Sequence, residues 1–245
     1  MIKLNSFQKT FYFEWLQDNS KADYNLVIDM DLHGEISPER LNRAITRFVN
    51  EHLLYNSNVR YINGDYYWIS RSCLNEKENI LKYIDFLPSK KELFSFVKEP
   101  FDLESDRLSR YYLVRISESH YRFINVVSHI IVDGLSAESV YKNLACYYND
   151  AEFRSEYSLE EQAEMIIKLN AKLSLIQENY KASMNNFWQR QLCNSTGIDL
   201  KFLKNQSQQS KLEIHSRKLN PISEFYFSIV DEEWNLVKEI SSKYK

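Results

Sequence analysis

A chain of 245 residues, 44% hydrophobic and 14% aromatic, can bury a full-sized core, which excludes a peptide or a disordered tail. A net charge of −3 offers no electrostatic footprint for nucleic acid, and no apolar run approaches the roughly 20 residues of a membrane span. The start, "MIKLNSFQKT", lacks the basic-then-apolar layout of a signal peptide, so the expectation is a cytoplasmic protein with neither a membrane nor a nucleic-acid partner. Cys73, Cys146 and Cys193 are odd in number and widely spaced, which fits ordinary thiols rather than a disulfide framework or a zinc site.

With only four Gly and four Pro, the elements are delimited mainly by breaks in apolar periodicity. "SFQKTFYFEWLQD" reads as a short aromatic helix. "YNLVIDMDL" alternates as a half-buried strand, with Tyr24, Leu26, Ile28, Met30 and Leu32 on one side and Asn25, Asp29 and Asp31 on the other, and Gly34 closes it. In "SPERLNRAITRFVNEHLL", Ser37 suits an N-cap and Pro38 the first helical position, while Leu41, Ala44, Ile45, Phe48 and Val49 keep helical spacing. Asn63-Gly64 between two aromatic-rich runs predicts a tight hairpin. "YYLVRI" and "YRFINVV" predict a second strand pair. A helix follows, with Ser136 as its cap, Glu138 in its first turn and Val140, Leu144 and Tyr147 on one face.

Residues 158–192 read as largely helical, and "KNQSQQSK" at 204–211 as a mobile loop. "KLEIHSRKL" and "EFYFSIV" read as strands before a last amphipathic segment, "DEEWNLVKEISSKY". Helices mixed with hairpin-linked strands, and no glycine-rich phosphate loop, favour an α+β fold over a doubly wound nucleotide-binding one.

The stretch "NVVSHIIVDGLSAESV" places His129 between a strand and a helix, at the kind of junction that often carries functional side chains. Position alone leaves two readings open: a functional imidazole, or a partly buried histidine bonded to backbone. Zinc would need further ligands beside Asp133, and His33, His52, His120 and His215 show no ligand spacing. A Ser128-His129-Asp133 triad is disfavoured, because near-adjacent residues seldom reach triad geometry and no Gly-x-Ser-x-Gly elbow is present.

"SHIIVDG" resembles the HHxxxDG motif of nonribosomal peptide synthetase condensation domains, members of the chloramphenicol acetyltransferase-like superfamily. "PFDLESDRLSRYYLVRI" resembles the family's Pro-Phe-Asp-Leu segment and following strand. "NSFQKTFYFEWL", with Gln8 and Tyr12, resembles its opening helix, "LHGEISPERLNRAITRFVNEH" the next strand, glycine and helix, and "NFWQRQL" its Tyr-Trp-Arg-x-x-Leu segment. These blocks stand in family order across residues 5 to 192.

The resemblance implies a chloramphenicol acetyltransferase-like lobe, a mixed β-sheet flanked by helices, and a tunnel between two such lobes. It implies an acyltransferase that forms an amide bond between a carrier-bound acyl or peptidyl donor and the amine of a carrier-bound aminoacyl acceptor, in antibiotic or other secondary-metabolite synthesis. The same superfamily includes N-acylating starter domains, free acyltransferases and noncatalytic carrier-binding modules. The implied partners are donor and acceptor carrier proteins and a downstream adenylation domain. No cofactor would be bound directly, since the substrates ride on the carriers' phosphopantetheine. His129 is the implied catalytic residue, with Ser128, Asp133 and Gly134 supporting the motif.

Three departures stand out. Ser128 replaces the first motif histidine, and Glu51 and Asn56 stand where the family commonly has arginines. A carboxylate at Asp133 that lost such a partner would need another cation, either Arg110 or one from outside this chain. Asp133 is expected to fix the loop rather than carry a proton, so that Asp133→Asn lowers stability and activity together. The third departure is length, because family members normally contain a second lobe. Residues 1–245 therefore read as an N-terminal lobe plus the start of the connection, placed at the beginning of a polypeptide and inactive alone. Trp234, Val237 and Ile240 would then form an apolar face open to association.

Overall fold

In the computed structural model, which describes residues 1–75 and 78–193, strand β1 (Ile2–Lys3) leads into helix α1 (Ser6–Gln17). A capping box starts this helix. The Asn5 side chain accepts the Gln8 N–H at 2.8 Å, and the Gln8 side chain accepts the Asn5 N–H at 3.2 Å, so each satisfies a backbone donor that the helix end leaves open. Strand β2 (Asn25–His33) alternates as its sequence requires: Leu26, Ile28, Met30 and Leu32 pack inward while Asp29, Asp31 and His33 face out. Gly34, at φ +112°, then turns the chain and donates to the Ser119 carbonyl at 2.8 Å.

Helix α2 (Pro38–Glu51) starts at Ser37, whose side chain accepts the Arg40 N–H, with Pro38 in its first turn. It buries Leu41, Ala44, Ile45, Phe48 and Val49, and full burial of an Ile, Leu, Phe or Val is worth about 1.5–3 kcal/mol. Strands β3 (Ser57–Ile62) and β4 (Asp65–Ser70) form the expected hairpin. Its two turn residues both have positive φ, +50° at Asn63 and +90° at Gly64, as a type I′ turn requires. A Cβ on Gly64 would meet nothing within 4 Å, so Gly64→Ala isolates the backbone cost. Urea unfolding is expected to show a loss of about 1–2 kcal/mol, and unchanged stability would contradict the left-handed turn.

Strand β5 (Leu81–Ile84), helix α3 (Lys90–Lys98), strand β6 (Ser109–Ser117) and strand β7 (His120–Ser128) follow. Among the described residues the strands form a three-stranded sheet, β1-β4-β3, and a four-stranded sheet, β2-β7-β6-β5. The larger sheet is mixed, because β5 runs parallel to β6 while the other pairs are antiparallel. Its two faces are covered differently. Tyr112 stacks on Phe96 of α3 at 4.5 Å, whereas Asn125, the cross-strand partner of Tyr111, accepts the Tyr141 hydroxyl of helix α4 (Gly134–Asn149) at 2.7 Å. Neighbouring strand residues point to opposite faces, so α3 lies on one side of the sheet and α4 on the other.

Phe48 of α2 joins the core, edge-on to Tyr55 at 4.8 Å and to Tyr147 at 5.9 Å. Helix α5 (Leu159–Leu192) fills the predicted helical stretch and is tied on by Gln162, which donates to the Glu51 carbonyl and accepts the Leu53 N–H. These layers of helix and mixed sheet make an α+β lobe. Cys73 and Cys146 are exposed and form no disulfide.

Two details differ from the sequence reading. Helix α4 begins at Gly134 with Asp133, not Ser136, as its N-cap, and this start leaves Glu138 beyond the first turn. The elements β1, β5 and α3 were not expected. The loop at 204–211, the strands at 211–219 and 224–230, and the segment at 231–244 with Trp234, Val237 and Ile240 lie outside the described residues.

Candidate functional site

The motif loop is sewn into the fold by its backbone. Ser128 N–H donates to the Leu108 carbonyl and His129 N–H to the Tyr24 carbonyl, both at 2.9 Å, and Ile131 N–H returns to the Ser128 carbonyl at 3.1 Å. Ile130, Ile131 and Val132 are buried, so three consecutive apolar side chains anchor the turn and leave His129 half-buried beside them.

The imidazole of His129 stacks on Phe11 of α1, with ring centroids 5.0 Å apart and planes at 25°. Phe11 is braced edge-on by Phe7 at 4.9 Å and by Tyr24 at 4.7 Å. Nδ1 of His129 is buried and has no hydrogen-bond partner among the described residues. The hydrogen bond made by one ring nitrogen normally sets which nitrogen carries the proton, so no described contact at Nδ1 fixes the tautomer.

Ser128 is buried and pairs in the β2–β7 ladder with Asn25, whose side chain bonds the Val97 carbonyl of α3. By strand alternation Ser128 belongs to the α3 side, opposite Asn125 and Val127.

Asp133 is exposed and serves α4. Its carboxylate accepts the Ser136 N–H at 2.8 Å and the Ser136 hydroxyl at 2.7 Å, while its own N–H donates to Ser136 Oγ at 2.9 Å. The Ser136 hydroxyl, then the Ser136 N–H, hold the carboxyl below the ordinary carboxylate range, and the nearby His129 adds a small pull in the same direction. The expected Arg110 partnership is absent. Arg110 bonds the Glu99 and Pro100 carbonyls at 2.7 Å, sits 3.5 Å from Asp106 and lies over the Phe101 ring. Asp133 needs no buried cation because water and the helix N-terminus already stabilise its charge.

Asparagine caps a helix about as well as aspartate, so Asp133→Asn should stay within a few tenths of a kcal/mol of wild type and Asp133→Ala should lose about 1 kcal/mol. Because the folded carboxyl is held low, the charge-dependent part of this cap is present above the ordinary carboxylate range and is lost as the pH falls through the folded value. Thermal melting of both variants checks the cap, and equal losses from Ala and Asn would contradict it.

Gly134 is the first residue of α4 with no positive φ, and a Cβ there would meet nothing within 4 Å. Neither the backbone nor a described neighbour therefore requires a glycine at this position. Glu51 and Asn56 are fully engaged: Glu51 accepts from the Tyr147 hydroxyl and the Ser155 N–H, both at 2.7 Å, and Asn56 is buried between Arg71 and Arg107.

The structure thus gathers His129, Asp133 and Gly134 at one loop and adds two residues from α1. Gln8 donates from Nε2 to the Ile130 carbonyl at 3.4 Å, and Phe11 supplies the stacked ring. The sequence reading placed Gln8 in the opening helix without this contact, and it did not single out Phe11. Gln8 and Ile130 are 122 positions apart, and no local periodicity reports such a pairing. Among the described residues no cluster of three or more metal-ligating side chains occurs, and no helix is long and apolar enough to cross a membrane.

Comparison with known proteins places the fold. The chain is 28% identical to gramicidin S synthase 2 of Aneurinibacillus migulanus over 154 residues, 61% of this chain and 3% of that protein. It is 29% identical to surfactin synthase subunit 2 of Bacillus subtilis (strain 168) over 151 residues, 60% of this chain and 4% of that one. The chain therefore spans only a small part of the curated relatives it matches. Among solved structures, the first condensation domain of the CDA synthetase superposes with a TM-score of 0.68 at 17% identity, covering 80% of this chain and 51% of that domain. The starter condensation domain of rhizomide synthetase superposes at 0.61 and 13% identity, covering 80% and 48%. The condensation domain model matches residues 1–224, and with the mixed sheet, the strand-to-helix loop and the ordered motifs it shows that the chain belongs to the condensation domain family.

Proposed function

We propose that this chain is the N-terminal lobe of an amide-forming condensation domain of a nonribosomal peptide synthetase, with a second lobe completing a tunnel beside the His129 loop. The observation that carries this reading is His129 itself, half-buried at the end of β7 with its ring aligned by an aromatic neighbour and with no partner on Nδ1 among the described residues. The coverage of about half of the solved condensation domains supports the single-lobe assignment.

In the reaction a donor and an acceptor carrier each deliver a phosphopantetheine thioester, and an adenylation domain downstream supplies the acceptor. The acceptor amine attacks the donor thioester carbonyl, forming the C–N bond. The tetrahedral intermediate then collapses, the C–S bond breaks, and the proton lost by the amine ends on the departing thiol. A free imidazole titrates at about 6.5, so this side-chain type can hold or relay such a proton near neutrality. His129 supplies that group, or aligns the amine and stabilises the intermediate by hydrogen bonding. Asp133 and Gly134 form the start of α4 after the loop, and Ser128 supports the loop from the sheet.

The test uses the two-lobed domain with an acceptor-loaded carrier and a donor carrier loaded with either an aminoacyl or a fatty acyl group. Intact-mass analysis of the acceptor carrier should show transfer of the aminoacyl donor. Transfer of the fatty acyl group alone would make it an N-acylating starter domain. Transfer of neither, with both carriers bound, would favour a noncatalytic module, a reading for which the serine at position 128 speaks.

A further inference from the structure

The polar members of the motif do not hold the His129 ring. Asp133 is committed to Ser136, and Ser128 lies on the α3 side of the sheet. What touches the imidazole is Phe11, and what touches the next peptide is Gln8. We propose that Phe11 and Gln8 of α1 are the positioning residues of His129, the first aligning its ring and the second pinning the loop through the Ile130 carbonyl. This inference rests on the condensation reading and deepens it.

The arrangement is braced at several points. Phe11 is itself buried and gripped edge-on by Phe7 and Tyr24, so the ring on which His129 lies has little freedom. The backbone donor of His129 reaches the Tyr24 carbonyl, which places the second aromatic brace and the histidine on one frame. Gln8 is fixed from three directions: its Oε1 accepts the Asn5 N–H at 3.2 Å and the Trp68 indole N–H at 3.3 Å, leaving Nε2 directed at Ile130. One side chain therefore couples the start of α1, strand β4 and the motif loop. Without a partner on Nδ1 among the described residues, the stacked ring and this hydrogen bond are what orient the imidazole.

The test compares three variants of the two-lobed domain. Phe11→Leu keeps an apolar side chain but removes the flat face, Phe11→Tyr keeps the face, and Gln8→Glu keeps the oxygen that serves Asn5 and Trp68 while removing the donor to Ile130. A misplacement of about 1 Å can cost up to about a hundredfold in rate, so Phe11→Leu and Gln8→Glu should each lower kcat about tenfold to a hundredfold, with KM for the loaded carriers little changed. Phe11→Tyr should recover most of the loss. Wild-type kcat in Phe11→Leu, or a Tyr variant as slow as the Leu variant, would overturn the proposal. Should Phe11→Leu not fold, Gln8→Glu decides by the same criterion.

An activity-independent reading separates this inference from the function itself. The Cε1–H resonance of His129 in histidine-labelled protein, assigned by its loss in His129→Gln, should move in Phe11→Leu and stay near its wild-type position in Phe11→Tyr. A resonance unmoved by Phe11→Leu would overturn the positioning role even if the domain proves active. Full activity in His129→Ala would instead overturn the catalytic reading and leave the NMR result to stand.

Discussion

Replacing His129 with alanine should reduce amide formation by the two-lobed domain about a hundredfold to ten-thousandfold while leaving the fold and carrier binding intact. That range is typical for removing a positioned acid-base group, or a hydrogen-bonding group aimed at developing charge. The structure also says why the fold survives. His129 is only half-buried, its Nδ1 holds nothing among the described residues, and its backbone bond to Tyr24 is independent of the side chain. If the residue were merely structural, alanine would cost stability through the lost stack on Phe11 and leave turnover near wild type. Ser128→Ala should do much less to the rate, because that side chain lies on the opposite side of the sheet. Melting curves run beside the rates separate the two cases.

The largest loss of stability is expected far from the loop, at Arg47. Its guanidinium donates to the carbonyls of Tyr147, Asp150, Ala151 and Phe153 and lies over the Tyr147 ring. These carbonyls are at and just past the C-terminus of α4, where the helix leaves acceptors unpaired and its dipole favours a cation. Arg40 treats the Tyr148 and Asn149 carbonyls in the same way, so two arginines of α2 cap one end of α4. Hydrogen bonds to charged groups contribute about 1.5–3 kcal/mol each, and water would satisfy some of the freed carbonyls, so Arg47→Met should cost about 3 kcal/mol. Lysine cannot fork, and Arg47→Lys should recover less than half. Urea midpoints at constant slope measure both, and a loss under about 0.5 kcal/mol would contradict the cap.

What the sequence made legible follows from how far each signal reaches. The elements β2, α2, the Asn63-Gly64 hairpin and the β6–β7 pair follow from local periodicity and turn chemistry, which survive into the fold. Strand β1 is two residues long and exists because Trp68 and Tyr67 pair with it, so nothing local announces it. Strand β5 has four residues and takes its conformation from β6. Helix α3 carried a readable signal, Ser89 three residues before Glu92, in the spacing of a capping box.

The sequence reading took Ser136 as the cap of α4, and Asp133, three residues earlier, is a side chain of the same capping type. The helix takes the earlier because Gly134 and Leu135 fit inside its first turn, and Ser136 then completes the box from within. His129 was legible as a motif member. Phe11 was not, because its contact with His129 depends on how α1 crosses the end of the sheet.

The proposed role of His129 is to carry amide formation in this condensation domain. The most direct measurement is single-turnover condensation between loaded donor and acceptor carriers, followed by intact mass, with wild-type and His129→Ala two-lobed domains side by side. An amide-linked product on the acceptor carrier is expected with the wild type, formed about a hundredfold to ten-thousandfold more slowly by the variant. Equal rates from the two proteins, or no product from a wild type that binds both carriers, would contradict that role.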